Sequence, residues 1–255
     1  MDTSHWTLHG KKALITGGTR GIGAATVRAF LQLGAEVCFV SRSQSEIEER
    51  ELDWTSFGAV HGVVADVSQP EGISRLKQHI TQTWGHLDIL VNNVGTNIRK
   101  RALAYTLEEY HHIMNTNLRS VYFLSQQMHP LLRQTSAPAI INVSSVAAQT
   151  HLRTGAIYGM SKAAMEQLTR NLAVEWAEDK IRVNAVAPWY IKTPLAEQVL
   201  SNIDYYNEVI SRTPLKKIGK PENVADTIAF LCMPASAYIT GQCLSVDGGF
   251  SIYGF

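Results

Sequence analysis

The residues best suited to chemistry are a tyrosine and a lysine four positions apart, Tyr158 and Lys162. Side chains at this spacing project from the same face of an α-helix. The segment after them predicts such a helix, because Ala164, Leu168 and Leu172 recur at three-to-four spacing. A tyrosine hydroxyl has a pKa of about 10, and a neighbouring ammonium lowers it. The pair could therefore pass a proton to or from a carbonyl oxygen, although the same spacing arises by chance on many helices.

The elements that would position this pair alternate between strand and helix along the chain. Short apolar runs predict strands at 12–16, 36–40, 62–67, 88–91, 139–143, 181–187 and 242–246. Helices are predicted at 24–33, 71–84, from a capping-box pattern at 106–109 onward, from about 158 to 177, and at 221–232. This alternation predicts a parallel sheet, and such sheets bind ligands at the carboxyl ends of their strands.

A glycine-rich turn, residues 16–23, joins the first predicted strand to the first helix. Strand, glycine turn and helix in this order favour a dinucleotide site, because the turn lets backbone N–H groups at the helix start approach a pyrophosphate. An ordinary turn between a strand and a helix remains the alternative when this motif is taken alone.

The second predicted strand ends in Ser41 and Arg42. In a dinucleotide-binding fold, an acidic residue near this point holds the ribose hydroxyl of NAD. A carboxylate would repel a 2′-phosphate, whereas a guanidinium binds one through charge-assisted hydrogen bonds. Arg20 in the glycine turn offers a second cation, so the sequence predicts NADP(H), although either arginine could instead be a solvated surface charge. Asp66 and Val67, at the end of the third strand, are expected beside the adenine.

Composition limits the other possibilities. The chain has 255 residues, which suits one α/β domain, and its net charge of +1 gives no argument for binding nucleic acid or an anionic membrane. No apolar run approaches the roughly 20 residues of a membrane span. The first residues lack a signal-peptide pattern and the three cysteines lack CxxC spacing, so we expect free thiols and a cytoplasmic protein. Adjacent His111 and His112 point apart on a helix, and no metal site is predicted.

Together these motifs resemble the short-chain dehydrogenase/reductase family. The resemblance rests on residues 16–23, on the Asn-Asn-Val-Gly run at 92–95, on Ser145 thirteen residues before Tyr158, and on Lys162. It extends over nearly the whole chain. The resemblance implies a single-domain Rossmann-type α/β fold, with a doubly wound parallel sheet and helices on both faces.

The family resemblance also implies the site. The catalytic tetrad would be Asn117, Ser145, Tyr158 and Lys162. Ser145 would hold the substrate oxygen and Tyr158 would transfer the proton. Lys162 would bind the ribose and lower the Tyr158 pKa, and Asn117 would keep a water that links the lysine to solvent. The residues expected at the cofactor are Gly17, Thr19, Arg20, Gly21, Ile22, Ser41, Arg42, Asp66, Val67, Asn93, Gly95, Tyr158, Lys162, Pro188, Ile191 and Thr193.

Within the family, the chain is similar to the tropinone-reductase-like branch. The likeness lies in residues 6–10, 172–177 and 230–242. That branch prefers NADPH, which agrees with the argument from Ser41 and Arg42. Many of its members do not reduce tropinone, so the likeness does not identify the substrate.

Two departures bear on the substrate pocket. Trp189 follows Pro188 where the family usually has glycine, so a conventional backbone is expected there, with the indole packed inward or narrowing the pocket. Arg99 lies in a loop that faces substrate in this branch. A guanidinium there would repel a cationic ketone and favour a neutral or anionic one, unless Arg99 simply faces water. The residues expected to line the pocket are Arg99, Val146, Ile157, Trp189, Tyr190 and Leu195.

The segment at about 189–216 is expected to be irregular and to form a mobile lid over the substrate. The favoured function is reduction of a ketone, cyclic or bulky, by hydride from NADPH. The alternatives are alcohol oxidation by the same site, or a nucleotide-binding sensor without turnover. The resemblance suggests a homo-tetramer or homo-dimer, joined through the helices that hold Asn117 and Tyr158.

Overall fold

The computed structural model describes residues 4–254. Their strands form one parallel sheet of seven, in the order β3-β2-β1-β4-β5-β6-β7. The strands are β1 (Lys12–Thr16), β2 (Glu36–Ser41), β3 (Val60–Val64), β4 (Ile89–Asn92), β5 (Ala139–Val143), β6 (Arg182–Pro188) and β7 (Cys243–Val246). The doubly wound parallel sheet expected from the sequence is confirmed.

Helices cover both faces of this sheet. They are α1 (Gly21–Gln32), α2 (Gln44–Trp54), α3 (Pro70–Thr83), α4 (Leu107–Met114), α5 (Ser120–Leu132), α6 (Ala156–Glu175), α7 (Pro194–Leu200), α8 (Ile203–Ser211) and α9 (Pro221–Cys232). A π-helical turn at Asn115–Arg119 connects α4 to α5. None of the helices in residues 4–254 has the length and apolar character needed to cross a membrane.

The sheet separates two apolar cores, because successive side chains of a strand face opposite sides. In β2, Val37 and Phe39 pack into the core shared with α1, α2 and α9. Cys38 and Val40 of the same strand pack into the core shared with α3, α5 and α6. Strands buried on both faces read as continuous apolar runs, which is why the sequence indicates them clearly.

The strand order reverses between β1 and β4. After β1 the chain adds β2 and β3 on one side, and it then adds β4 to β7 on the other side. The loops after these two strands therefore leave in opposite directions and open a crevice at the carboxyl edge of the sheet. The glycine turn follows β1 and the Asn92–Gly95 segment follows β4, so both border this crevice.

Two segments differ from the elements predicted for them. Residues 189–216 are not irregular: they contain α7 and α8, which begin where Thr193 and Asn202 accept hydrogen bonds from the backbone N–H groups of Ala196 and Tyr205. The third strand ends at Val64 rather than at residue 67, so Asp66 and Val67 lie in the loop after it. The capping box that begins α4 is confirmed.

Candidate active site

A cleft of about 990 Å³ opens along the carboxyl ends of the strands. It is bordered by the glycine turn, the ends of β2 and β5, the first turn of α6, and α7 with α8. All residues expected at the cofactor line it, as does Ser145. The volume lies at the upper end of the range for ligand pockets, which suits a dinucleotide together with a substrate.

The glycine turn has the shape that a pyrophosphate requires. Gly17 and Gly21 have positive φ, at 66° and 56°, where a side chain would be strained. A Cβ at Gly23 would lie 2.0 Å from the Gly17 carbonyl oxygen, so only glycine lets α1 start this close to the turn. Asn93 donates from Nδ2 to the Gly17 carbonyl at 3.1 Å and ties the turn to the end of β4. These residues therefore fit the phosphates of a dinucleotide at the start of α1.

The adenosine end of the cleft contains a carboxylate that the sequence analysis missed. Glu46 of α2 accepts a hydrogen bond at 2.7 Å from Thr19 and one at 3.4 Å from Ser41. The bond from Thr19 and the positive charge of Arg20 hold the Glu46 pKa below its usual value, so the group is a carboxylate at neutral pH. Arg42 is exposed at the same rim.

A sequence signal for Glu46 does exist. Ser43 and Glu46 have the Ser-x-x-Glu spacing that marks a helix start, and the Ser43 side chain does accept a hydrogen bond from the Glu46 backbone. The glutamate side chain points instead to Thr19 and Ser41. A second carboxylate, Asp66, accepts bonds from the backbone and hydroxyl of Ser68 at 2.9 and 2.7 Å, which shapes the turn that starts α3.

Tyr158 and Lys162 project together from the first turns of α6. The Lys162 ammonium lies 5.7 Å from the centroid of the Tyr158 ring. It also donates a hydrogen bond at 2.7 Å to the carbonyl of Val143, the last residue of β5. The lysine is buried, and this burial lowers its pKa to about 8. The pair thus shares one helix face at the edge of the cleft.

The tyrosine does not have the lowered pKa that the sequence predicts. Burial raises the Tyr158 pKa, and the hydrogen bond with Ser145 and the charge of Arg99 offset this only in part. In the protein without cofactor, the phenol is therefore a protonated acid.

The side chains of the two serines that follow β5 point in different directions. Ser145 accepts a hydrogen bond from the Ala147 backbone at 3.2 Å and interacts with Tyr158. Ser144 donates instead to the carboxylate of Glu166 at 3.1 Å, in the interior behind α6. This geometry favours Ser145 over Ser144 as the residue that meets a substrate oxygen.

Asn117 occupies the π-helical turn and is fully buried, so its side chain does not line the cleft. Its Nδ2 donates to the Thr96 carbonyl at 2.9 Å and to Ser161 of α6 at 3.1 Å. Its Oδ1 accepts from the Thr96 N–H at 2.8 Å. The amide therefore joins the loop after β4 to the catalytic helix. Gly95 in that loop is open toward the lysine: a Cβ there would lie 3.4 Å from Lys162 Nζ.

Trp189 lines the cleft. Its ring stacks on Phe250, with centroids 3.6 Å apart and planes within 7°, and its Nε1 donates to Thr213 at 3.2 Å. Trp189 is not among the described non-glycine residues with positive φ, so the conventional backbone expected there is confirmed. Next to it, the hydroxyls of Tyr190 and Tyr205 hydrogen-bond and join the end of β6 to α8.

Arg99 lines the cleft and is half-buried, so it does not simply face water. It donates to the Leu195 carbonyl at 3.2 Å and to the side chain of Gln198 at 3.4 Å, both on α7. An ion pair that the sequence analysis missed, Arg153 with Glu208 of α8, closes the opposite rim. Two arginines thus fasten α7 and α8 to the rest of the cleft.

Two residues that were expected to line the pocket do not line it. Val146 and Ile157 are absent from the described residues that line the cleft, and both are buried. Val146 begins a 3-10 turn, and its side chain packs inward. Ile157 precedes Tyr158 on α6, and consecutive helical side chains point about 100° apart, so the two cannot face the same space. Trp189, Tyr190 and Leu195 do line the cleft.

This chain is similar in sequence to known proteins. A family model described as Enoyl-(Acyl carrier protein) reductase matches residues 17–251. A tropinone reductase homolog of Arabidopsis thaliana is 52% identical over 258 residues, covering 100% of this chain and 98% of the relative. A second Arabidopsis thaliana homolog, named as chloroplastic, is 50% identical over 252 residues, covering 98% of this chain and 78% of the relative.

Solved structures share the fold. L-Sorbose reductase from Gluconobacter frateurii, complexed with NADPH and L-sorbose, superposes with a TM-score of 0.91 at 29% identity, covering 98% of this chain and 100% of the other. A 7α-hydroxysteroid dehydrogenase complexed with NADH and 7-oxo glycochenodeoxycholic acid has a TM-score of 0.94, also at 29% identity, and covers 98% of this chain and 97% of the other.

Proposed function

Because the chain belongs to the short-chain dehydrogenase/reductase family, in its tropinone-reductase-like branch, we propose that it is an NADPH-dependent reductase of a ketone. Tyr158 is the proton donor. The single observation that carries this proposal is that Tyr158, Ser145 and Lys162 meet at one cleft, with Tyr158 hydrogen-bonded to Ser145 and the Lys162 ammonium 5.7 Å from the tyrosine ring. A protonated acid beside the substrate oxygen is what the reductive direction needs.

A nicotinamide cofactor, held by the glycine turn and by Lys162, would supply the hydride for the carbonyl carbon. Ser145 donates a hydrogen bond to the carbonyl oxygen and orients it toward Tyr158. As negative charge develops on that oxygen, the Tyr158 hydroxyl gives its proton to it, and the product is an alcohol. Lys162, held at 2.7 Å by the Val143 carbonyl, binds the ribose and lies beside the tyrosinate as it forms. Asn117 keeps the loop after β4 against α6 and so positions the lysine.

We propose NADP(H) rather than NAD(H). Arg20 and Arg42 are both exposed at the adenosine rim beside Ser41, where a 2′-phosphate would lie. The relatives of known structure include one complexed with NADPH and one complexed with NADH. The fold therefore accepts either cofactor, and the choice depends on the arginines.

The substrate end supports a neutral or anionic ketone, cyclic or bulky. Arg99 places a positive charge beside the space above Tyr158, which would repel a cationic substrate. The helices α7 and α8 would form a lid, since their polar ties to the rest of the cleft are the bonds of Arg99, Arg153 and Tyr190. Opening of this segment would admit substrate.

The chain would assemble as a homo-dimer or homo-tetramer through α5 and α6. Exposed apolar side chains lie on both helices: Tyr122 and Phe123 on α5, and Met160 and Val174 on α6. The three free cysteines fit a reducing compartment, and we propose the cytoplasm. A chloroplast location, as in the name of one relative, would be seen by imaging a tagged protein.

The test is NADPH consumption by the purified chain with a panel of neutral, anionic and cationic ketones. We expect turnover of neutral or anionic members, and Tyr158→Phe should lower kcat by about 10³-fold while NADPH still binds. Tyr238→Phe is the matched control, because it removes an exposed phenol that does not line the cleft.

Three outcomes separate the alternatives. Full activity of Tyr158→Phe would exclude the phenol as proton donor. Turnover of alcohols with NADP⁺ but of no ketone with NADPH would favour the oxidative enzyme. Tight NADPH binding without turnover of either panel would favour a sensor.

A further inference from the structure

A second cluster of chemically active side chains lies away from the cleft, between the edge of the sheet and α3. Cys38 of β2 and His61 of β3 are register partners on adjacent strands, and so they face the same side of the sheet. His79 of α3 lies above them, with its ring centroid 5.1 Å from that of His61. The Cys38 sulfur and one ring nitrogen from each histidine are within 4.8 Å of one another.

Each imidazole of this cluster has an unpaired nitrogen. Nε2 of His61 and Nε2 of His79 are buried and have no hydrogen-bond partner among the described residues. An unpaired polar atom in the interior costs free energy, and native proteins rarely leave one without a reason. Here two occur side by side, next to a fully buried thiol.

The protonation states of the three side chains suit metal binding. Burial lowers the pKa of His61, as does the nearby His79, and burial also lowers the pKa of His79. Both rings are therefore neutral at pH 7 and their lone pairs are free. Burial raises the pKa of Cys38, so the thiol keeps its proton until a cation replaces it.

The surroundings favour positive charge. Glu36 and Glu51 lie close enough to raise the pKa of His61, which means that their carboxylates stabilise a cation there. Glu51 is held in place because it accepts the backbone N–H of Gly62, the residue after His61. Glu36 accepts from the indole of Trp84, whose ring contacts His61 edge-on at 5.1 Å.

We propose that Cys38, His61 and His79 bind one divalent cation of the zinc class. One thiolate and two imidazoles form a borderline-soft donor set, which suits zinc and not magnesium or calcium. Ideal Zn–S and Zn–N lengths place tetrahedral ligands roughly 3.5 Å apart, so modest side-chain rotations would close the present cluster around an ion. The three protein ligands leave a fourth position for water.

This site is independent of the proposed reductase activity, since none of its three residues lines the cleft. The ion would connect β2, the edge strand β3 and α3. Its effect would be to hold the edge of the sheet, where β3 leads to the Asp66 turn at the adenosine end.

The experiment uses the full chain, stripped of metal with a chelator and dialysed. Zn²⁺ titration by calorimetry should give one equivalent per chain, and Zn²⁺ should raise the Tm. Co²⁺ should give a thiolate charge-transfer band in the near ultraviolet. His79→Gln removes a ligand at a half-buried helix position where folding should persist, and should weaken Zn²⁺ binding by about 100-fold.

His111→Gln, an exposed histidine on α4, is the matched control and should bind Zn²⁺ like the wild type. Cys38→Ser should abolish the cobalt band, whereas Cys243→Ser should keep it. The metal-free Tm of each variant reports its folding separately from its metal binding. Equal Zn²⁺ affinity in His79→Gln and His111→Gln, or no saturable binding by the wild type, overturns the proposal.

Discussion

The two walls of the cleft are built in different ways. The catalytic wall consists of strand ends and α6, and its polar groups are buried and paired: Lys162 on the Val143 carbonyl, Asn117 on Thr96 and Ser161. The lid wall consists of α7 and α8, and an ion pair between Arg153 and Glu208, whose side chains are 61% and 39% exposed, is one of its few polar ties.

This difference has a physical meaning. A buried, hydrogen-bonded group cannot move without losing its partner, at a cost of about 1–3 kcal/mol for each unpaired atom. An exposed ion pair contributes less than about 1 kcal/mol, because water competes for both charges. We therefore expect the wall that holds Tyr158 and Lys162 to be rigid, and we expect the wall formed by α7 and α8 to open more easily. Substitutions in the two walls and at the adenosine rim should therefore differ in their effect.

The catalytic wall should be altered most by Lys162→Met. We expect kcat to fall by about 10²-fold, since the ammonium that would bind the ribose and lie beside the tyrosinate as it forms is lost. The same change should stabilise the cofactor-free protein at pH 7. Burial lowers the Lys162 pKa from 10.5 to about 8, which corresponds to roughly 3 kcal/mol of destabilisation while the lysine is charged.

The sign of the pH dependence follows from this lowered pKa. Between pH 8 and 10.5 the unfolded lysine holds a proton that the folded one has released, so wild-type stability rises with pH in this window. The unfolding free energy of the wild type minus that of Lys162→Met should therefore increase between these values and be constant below pH 8. Lys217→Met, at an exposed position, is the matched control. A difference in unfolding free energy that does not change with pH would contradict a buried ammonium at Lys162.

At the adenosine rim, Arg42→Ala should weaken NADPH binding by about tenfold, because one charge-assisted hydrogen bond to the 2′-phosphate is lost. NADH binding should be unchanged. Fluorescence titration with each cofactor measures both values, and Arg28→Ala on the exposed face of α1 is the control. Equal losses for NADPH and NADH would refute the phosphate role of Arg42.

The lid wall should respond weakly to Glu208→Gln. We expect KM for the ketone to rise a few-fold, with kcat and NADPH affinity kept, since an exposed pair contributes less than about 1 kcal/mol. Faster hydrogen exchange in α8 should accompany it. The exchanged pair Arg153→Glu with Glu208→Arg should restore the wild-type KM. A loss of 100-fold or more would mean that the lid is as firmly fixed as the catalytic wall.

The smallest effect is expected for Glu46→Gln. Its carboxylate lies beside Ser41 and Arg20, where it would repel a 2′-phosphate across a solvent-exposed rim. Removing the charge should strengthen NADPH binding by about threefold, with the few tenths of a kcal/mol typical of screened charges. If NADPH binding becomes weaker instead, Glu46 supports the arginines and does not oppose the phosphate.

The sequence determined those parts of this protein that depend on local spacing. A buried parallel strand needs a continuous apolar run, a close helix start needs glycine at Gly17 and Gly23, and two residues four apart on a helix share a face. These rules involve only neighbours in the chain. They predicted the sheet, the glycine turn and the shared face of Tyr158 and Lys162.

Contacts between residues that are far apart in the chain are set by the tertiary structure. It turned Val146 and Ile157 away from the cleft, brought Glu46 to Thr19, and joined Cys38, His61 and His79 from three separate elements. It also reversed the expected pKa shift of Tyr158. Burial sets that shift, and burial is the sum of contacts made by residues far apart in the chain, which no local spacing records.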